Sequence, residues 1–162
     1  MPDGSSSGLF WPRPSLHVDG SDQPVLAAAL LGLTINESVE GLYRCEALFG
    51  NWNPAGSNDG YVYFDRQLLD FGKSLQVRFN DATLFDGRIM ALEGRFPQGT
   101  PPQIMVLSED RLQDLRMTRR TRSFAQMSDA DVFRQIASDH GLSAQLDVTG
   151  PTYEALTQVN QS

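Results

Sequence analysis

The sequence predicts a mainly β chain with an α+β extension, and three patterns carry that prediction. Apolar and polar residues alternate from Ser15 to about Glu109, interrupted by turn-forming clusters. One long stretch, from about Thr83 to Phe96, keeps its parity straight through an Asp-Gly pair. Near residue 117 the period of two gives way to a capped helix. With 162 residues the chain has the size of one ordinary domain, or of one domain and part of another.

Residues 1–14, with three serines, two glycines and three prolines, form a flexible N-terminal arm. Leu9, Phe10 and Trp11 within it either dock on a neighbour or pack back on their own domain. Leu16 and Val18 then share a face opposite Ser15, His17 and Asp19. Leu33 and Ile35 alternate with Thr34 and Asn36. Tyr43, Cys45, Ala47 and Phe49 line one side of the next run, and Leu75, Val77 and Phe79 one side of another. The run PQIMVLS is apolar on both faces, as a strand covered on both sides should be. DGSD, ESVEG, NPAGSNDG and FND supply the turns. Residues 15–109 therefore hold five to seven strands with short connections, which makes an antiparallel sandwich or barrel. Asp86-Gly87 would ordinarily be a hairpin turn. Phe85, Gly87 and Ile89 keep one parity through it, so the stretch reads as one strongly bent strand, of the kind a small closed barrel needs at its corners.

The helix that follows is written in its ends. Ser128 is the N-cap, Asp131 sits at N3, and Asp129 and Asp131 place negative charge at the positive end of the dipole. Val132, Phe133, Ile136, Ala137 and His140 form one apolar stripe, and Gly141 suits the C′ position. A strand, AQLDV, is expected next. The chain then ends at TYEALTQVNQS with no closing strand expected, so it reads as truncated.

Composition excludes more than it specifies. A net charge of −7 argues against nonspecific nucleic-acid binding and against an anionic membrane surface. The longest apolar run, Val25 to Leu33, is too short to span a bilayer, and the N-terminus has no secretory signal pattern. Cys45, the single cysteine, fits a reducing compartment. No nucleophile elbow, phosphate loop, dinucleotide fingerprint or zinc-protease motif is present. One cysteine and two histidines give no metal cluster; no cofactor and no catalytic residue is expected. His140 reads as a helix cap and His17 as an outward strand residue. The acidic pairs Glu109/Asp110 and Glu37/Glu40 read as solvated turns and strand ends, not as a glycosidase pair.

The arginines stand out. Arg111, Arg116, Arg119, Arg120 and Arg122 crowd together in an acidic protein. They either pair with local acids such as Glu109, Asp110 and Asp114 or form a protein interface to an acidic partner. Arg120, Arg122 and Phe124 share one face of an extended segment, so Arg116, Arg119, Arg120, Arg122 and Phe124 are the candidate interface residues.

LFDGRIMALE, followed by LSEDRLQDLRMTRRTRSFAQMSDADVFRQIASDHGL, resembles the phage late control D family. That family is similar to the N-terminal part of VgrG spike proteins and to the T4-type baseplate hub protein. The pattern is carried by Phe85, Gly87 and Ile89, then Leu115, Arg122 and Phe124. Ser128, Asp131-Val132, Ile136-Ala137 and His140-Gly141-Leu142 continue it, and GLYRCEALFGNW fits the family's second strand. The resemblance implies a β-barrel hub domain at residues 15–117 and the beginning of an α/β insertion domain at 118–162. It implies a homotrimer that adapts the hexameric tail tube to a trimeric spike, with tube, spike or tip, and baseplate wedge proteins as partners. Such a subunit is cytoplasmic during assembly and then part of a phage virion or injection particle, without nucleic acid or membrane. The alternative is a small β-barrel binding module for a carbohydrate or protein ligand, with Trp11 and Trp52 as stacking platforms.

Overall fold

The computed structural model describes residues 12–39, 42–53 and 60–162. Residues 1–11, including Leu9, Phe10 and Trp11, and residues 54–59 of the NPAGSNDG loop lie outside the described residues. The chain divides into two compact units after Asp110.

The first unit is a seven-stranded, wholly antiparallel sheet. Its elements are β1 (Ser15–Val18), β2 (Ser21–Asp22), α1 (Pro24–Ala28), β3 (Leu30–Asn36), β4 (Arg44–Gly50), β5 (Ser74–Phe79), β6 (Ala82–Arg95) and β7 (Gln103–Asp110). Their order across the sheet is β2-β1-β5-β6-β7-β4-β3. The two end strands, β2 and β3, are neighbours in the chain, joined only through residues 23–29. A flat sheet of this width would hold its ends about 29 Å apart, at ~4.8 Å per strand step. A link whose middle is a short helix rising about 1.5 Å per residue cannot span that. The sheet must therefore curl. At the seam, the Gln23 amide donates to the Leu16 carbonyl (2.8 Å) and the Gly50 amide to the Ala29 carbonyl (2.9 Å). Leu26 of α1 is fully buried between these anchor points.

The sheet is antiparallel as expected but not closed, since no ladder joins β2 to β3 among the described residues, so the expected barrel is not confirmed. Pro24 starts α1, where its missing N–H costs nothing, and the helix takes the place of a closing ladder.

Alternate residues of five strands meet in one core: Leu16 and Val18 of β1, Cys45, Ala47 and Phe49 of β4, Leu75 and Val77 of β5, Phe85 and Ile89 of β6, and Ile104 and Val106 of β7. The reverse side of β7 is only half-buried at Met105 and Leu107, so that strand is covered on one face rather than two. Burial pushes the Cys45 thiol up to about 12, which makes it an inert packing group. β6 runs unbroken through Asp86-Gly87, with Gly87 opposite Leu75 on one side and Asp110 on the other. A Cβ at Gly87 would lie 2.2 Å from the Glu109 carbonyl oxygen and 2.5 Å from Phe85 Cζ. Glycine is therefore required by the close approach of β7. The register shifts beside Ile89 and Val77 let this long strand bend. The irregular segment after β4 is tied down by buried Asn51, whose Oδ1 accepts from the Val62 (3.0 Å) and Tyr63 (2.7 Å) amides.

The second unit contains α2 (Gln113–Arg116), β8 (Arg120–Met127), α3 (Asp129–Asp139) and β9 (Tyr153–Gln161). β8 and β9 form a two-stranded antiparallel sheet. Two expectations fail here. AQLDV is not a strand, and a closing strand is present at 153–161. The cause is competition for one partner. β8 offers a ladder that Tyr153–Gln161 takes, and residues 144–148 are left without a strand to pair with.

The ends of α3 form as expected. Ser128 and Asp131 make a reciprocal capping box, and the Ser128 bonds hold the Asp131 carboxyl below its ordinary range. At the far end the Leu142 amide donates to Ala137 (2.8 Å) and the Gly141 amide to Ser138 (2.9 Å), with Gly141 at φ +64°. That is a Schellman motif, which needs a residue at ease in the left-handed region. Among the described residues, no helix is long and apolar enough to cross a membrane.

Candidate functional site

The arginine segment belongs wholly to the second unit, where its members have different fates. Arg122 is held from three directions. Its Nη1 bonds the Asp139 carboxylate of α3 at 2.8 Å, and its Nε donates to Gln158 Oε1 at 2.8 Å. Its guanidinium also lies over the Phe124 ring, 4.9 Å from the centroid. Gln158 is the cross-strand partner of Arg122, and Leu156 that of Phe124, so the β8–β9 register builds this contact. Arg111 donates from Nη2 to the His140 carbonyl (3.2 Å), which satisfies one of the last carbonyls of α3. Arg116, Arg119 and Arg120 are exposed and have no acid partner among the described residues.

Arg120 and Arg122 do come together. Both line a hollow of about 170 Å³ whose apolar wall is Leu115, Phe133 and Ile136, with His140 at its rim. A second hollow of about 280 Å³, walled by Phe124, Val132 and Leu156, shares Phe133 and Ile136 with the first. Together they make a groove along the apolar stripe of α3. Arg116 is not part of it, and Arg119 faces a separate shallow hollow beside Asn160 and Gln161. Phe124 is only 5% exposed, so its part in any contact runs through Arg122. Phe133, a member of the expected apolar stripe, is 55% exposed, and Ala130 is the buried residue of the helix. The stripe is there, but the two-stranded sheet is too narrow to cover it.

The first unit presents a different feature. Trp52, Tyr61, Phe64 and Phe96 form an aromatic cluster near the surface. Trp52 meets Tyr61 edge-on (5.6 Å, 85°), and its ring packs so closely on Gly60 that a Cβ there would lie 2.6 Å from Trp52 Cη2. These rings pack on one another rather than offering a flat, open stacking face. Trp11, the other expected platform, lies outside the described residues. Among the described residues no group of three or more His, Cys, Asp or Glu could hold a metal.

The fold is shared with phage tail proteins. The chain matches the crystal structure of the prophage MuSo2 43 kDa tail protein from Shewanella oneidensis with a TM-score of 0.68 at 13% identity. That match covers 91% of this chain and 43% of the other. The E. coli c3393 protein is described as a component of the type VI secretion system with structural similarity to the T4 bacteriophage tail proteins gp27 and gp5. It matches with a TM-score of 0.59 at 12% identity, over 90% of this chain and 39% of its own. A tail protein from Neisseria meningitidis MC58 matches at 0.52 and 11% identity, over 80% and 34%. The chain thus spans less than half the length of each. In sequence, the Alg8 N-terminal domain family model matches residues 67–162, more than half of the chain, and the chain belongs to that family. The family shown is therefore not the late control D family that the motifs resemble; the link to tail and secretion-system proteins lies in the fold. No curated protein matches the sequence.

Proposed function

We propose that the chain is a non-catalytic structural part of a contractile phage tail or phage-tail-like injection system. In this reading it belongs to the base of the spike, in a homotrimeric ring that adapts a hexameric tail tube to a trimeric spike. The curled sheet is the body of a hub domain that runs over residues 15–117, and residues 118–162 begin an α/β insertion domain. Tail tube, spike or tip, and baseplate wedge proteins are its partners; it is assembled in the cytoplasm and ends in the particle. The observation that carries the proposal is the likeness to a prophage tail protein over 91% of the chain, which takes in elements of both units. A scaffold also fits a chain whose best-ordered local chemistry is caps, bulges and a curled sheet rather than a cluster of reactive groups.

Arg116, Arg119, Arg120 and Arg122 are the proposed subunit-facing residues. Exposed ion pairs within a chain contribute about 0–1 kcal/mol each. Truncating one half of a desolvated intersubunit pair costs about 2–5 kcal/mol of association. The test uses the protein co-expressed with a phage tail tube protein. A trimer that caps tube protein is the expected product. A monomer that ignores the tube protein, but binds an oligosaccharide, would favour the binding-module alternative.

A further inference from the structure

We infer that the groove along α3 receives the first unit of a second copy of this chain, with the exposed Glu37–Val39 turn of that copy as the inserted segment. This rests on the ring-forming reading above and names the two surfaces that would meet.

Charge is the first argument. Residues 1–110 carry seven basic and fourteen acidic side chains, 7 − 14 = −7, which is the whole net charge of the chain. Residues 111–162 carry six of each, and five of their arginines lie between 111 and 122 with a single acid, Asp114. Arg122 is paired with Asp139, whereas Arg116, Arg119 and Arg120 have no acid partner among the described residues, and the acid excess sits entirely in residues 1–110. A neighbour's first unit is the acidic partner that the chain itself supplies.

Shape and polarity supply the second argument. The groove pairs an apolar wall, Leu115, Phe133 and Ile136, with Arg120 and Arg122. Its occupant must bring an apolar side chain next to a carboxylate. A cavity of about 150 Å³ holds a benzene ring, so the 170 Å³ hollow has room for one apolar side chain. Val39, after β3, is fully exposed, and Glu37, whose Oε1 accepts from the Tyr43 hydroxyl and whose second oxygen is left to meet a guanidinium, lies two residues before it. No other large apolar side chain among the described residues is as exposed as Val39. Arg122 is already immobilised by Asp139, Gln158 and Phe124, so it meets an incoming carboxylate with little ordering left to do. Arg120, without an acid partner among the described residues, supplies the uncompensated charge. A contact between unlike surfaces is heterologous and closes into a ring when its rotation allows.

The test is the self-association of the full-length protein by analytical ultracentrifugation. Arg120→Glu should weaken it about 30-fold or more, and Val39→Ser about tenfold. Both residues are exposed, so the thermal midpoint of the subunit should not move. Mixing decides the geometry. Arg120→Glu chains and Val39→Ser chains, each defective alone, should associate with one another, because one keeps the groove and the other keeps the turn. Unchanged association in both variants, or a mixture that stays as weak as its parts, would overturn the inference. Particles that assemble normally with both variants would reject the groove and leave the tail-component reading intact. A wild-type protein that neither self-associates nor binds tube protein would reject both.

Discussion

The two units solve the same problem to different extents. In the first, fourteen hydrophobic residues among those described are buried in one cluster drawn from most of its strands, and that unit closes its own core. In the second, Phe124 and Ala130 are the buried hydrophobics among the described residues, and the stripe of α3 faces a groove. A two-stranded sheet with one helix has too little surface to bury both faces of what it presents. The second unit is held instead by its ends: a capping box, a Schellman motif and an arginine clasp. The contrast teaches that regular local order and a filled core are separable. A segment can be well ordered and still leave its apolar side uncovered.

This difference is sharpest in side-chain truncations. Phe49→Ala, at 0% exposure in the first core, should cost about 3–5 kcal/mol in denaturant unfolding. Gly87→Ala should cost about 1–3 kcal/mol, because its Cβ meets backbone rather than a movable side chain. Ser128→Ala should cost about 1 kcal/mol by loss of the cap, seen as reduced helix content in the second unit. Phe133→Ala, at 55% exposure, should stay within about 0.5 kcal/mol when the subunit is alone. A loss near that of Phe49→Ala would mean that α3 already has a core, and the comparison would break.

The smallest effect expected concerns acid. The folded-state pKa of Asp131 is lowered, chiefly by its bond from the Ser128 hydroxyl and then by the Ser128 amide. Its contribution is therefore complete above the ordinary aspartate value, about 3.9, and is lost as pH falls through the lower folded value. Circular dichroism below pH ~4 should show α3 fraying in the wild type, and Asp131→Asn should remove that pH dependence.

Much of this was legible because the informative residues are local. Ser128, Asp131 and Gly141 announce α3 whatever surrounds it, and the parity of Phe85, Gly87 and Ile89 announces a continuous β6. The arginine cluster was visible as composition, but not the partition that leaves Arg122 clasped and Arg120 without an acid partner among the described residues. That partition depends on the register pairing Arg122 with Gln158 and on where Asp139 lies. β9 was illegible for a related reason. Its half-buried positions, Tyr153, Leu156 and Gln158, change parity and include a glutamine, so no clean alternation marks it. The helix α1 was hidden in the apolar run Val25 to Leu33, where only Pro24 hints at a start. Whether a strand exists in such stretches is decided by the ladder on offer, which is a property of the fold and not of the segment.

Native-state amide hydrogen exchange, on the isolated subunit and after assembly, tests the division of labour most directly. In the isolated protein, amides of β4 to β7 should exchange slowest, and those of α3, β8 and β9 many times faster. On assembly, α3, β8 and β9 should gain protection while β4 to β7 hardly change. Protection of α3 equal to that of β6 in the isolated protein, or unchanged by assembly, would contradict a second unit that leaves the stripe of α3 uncovered until it assembles.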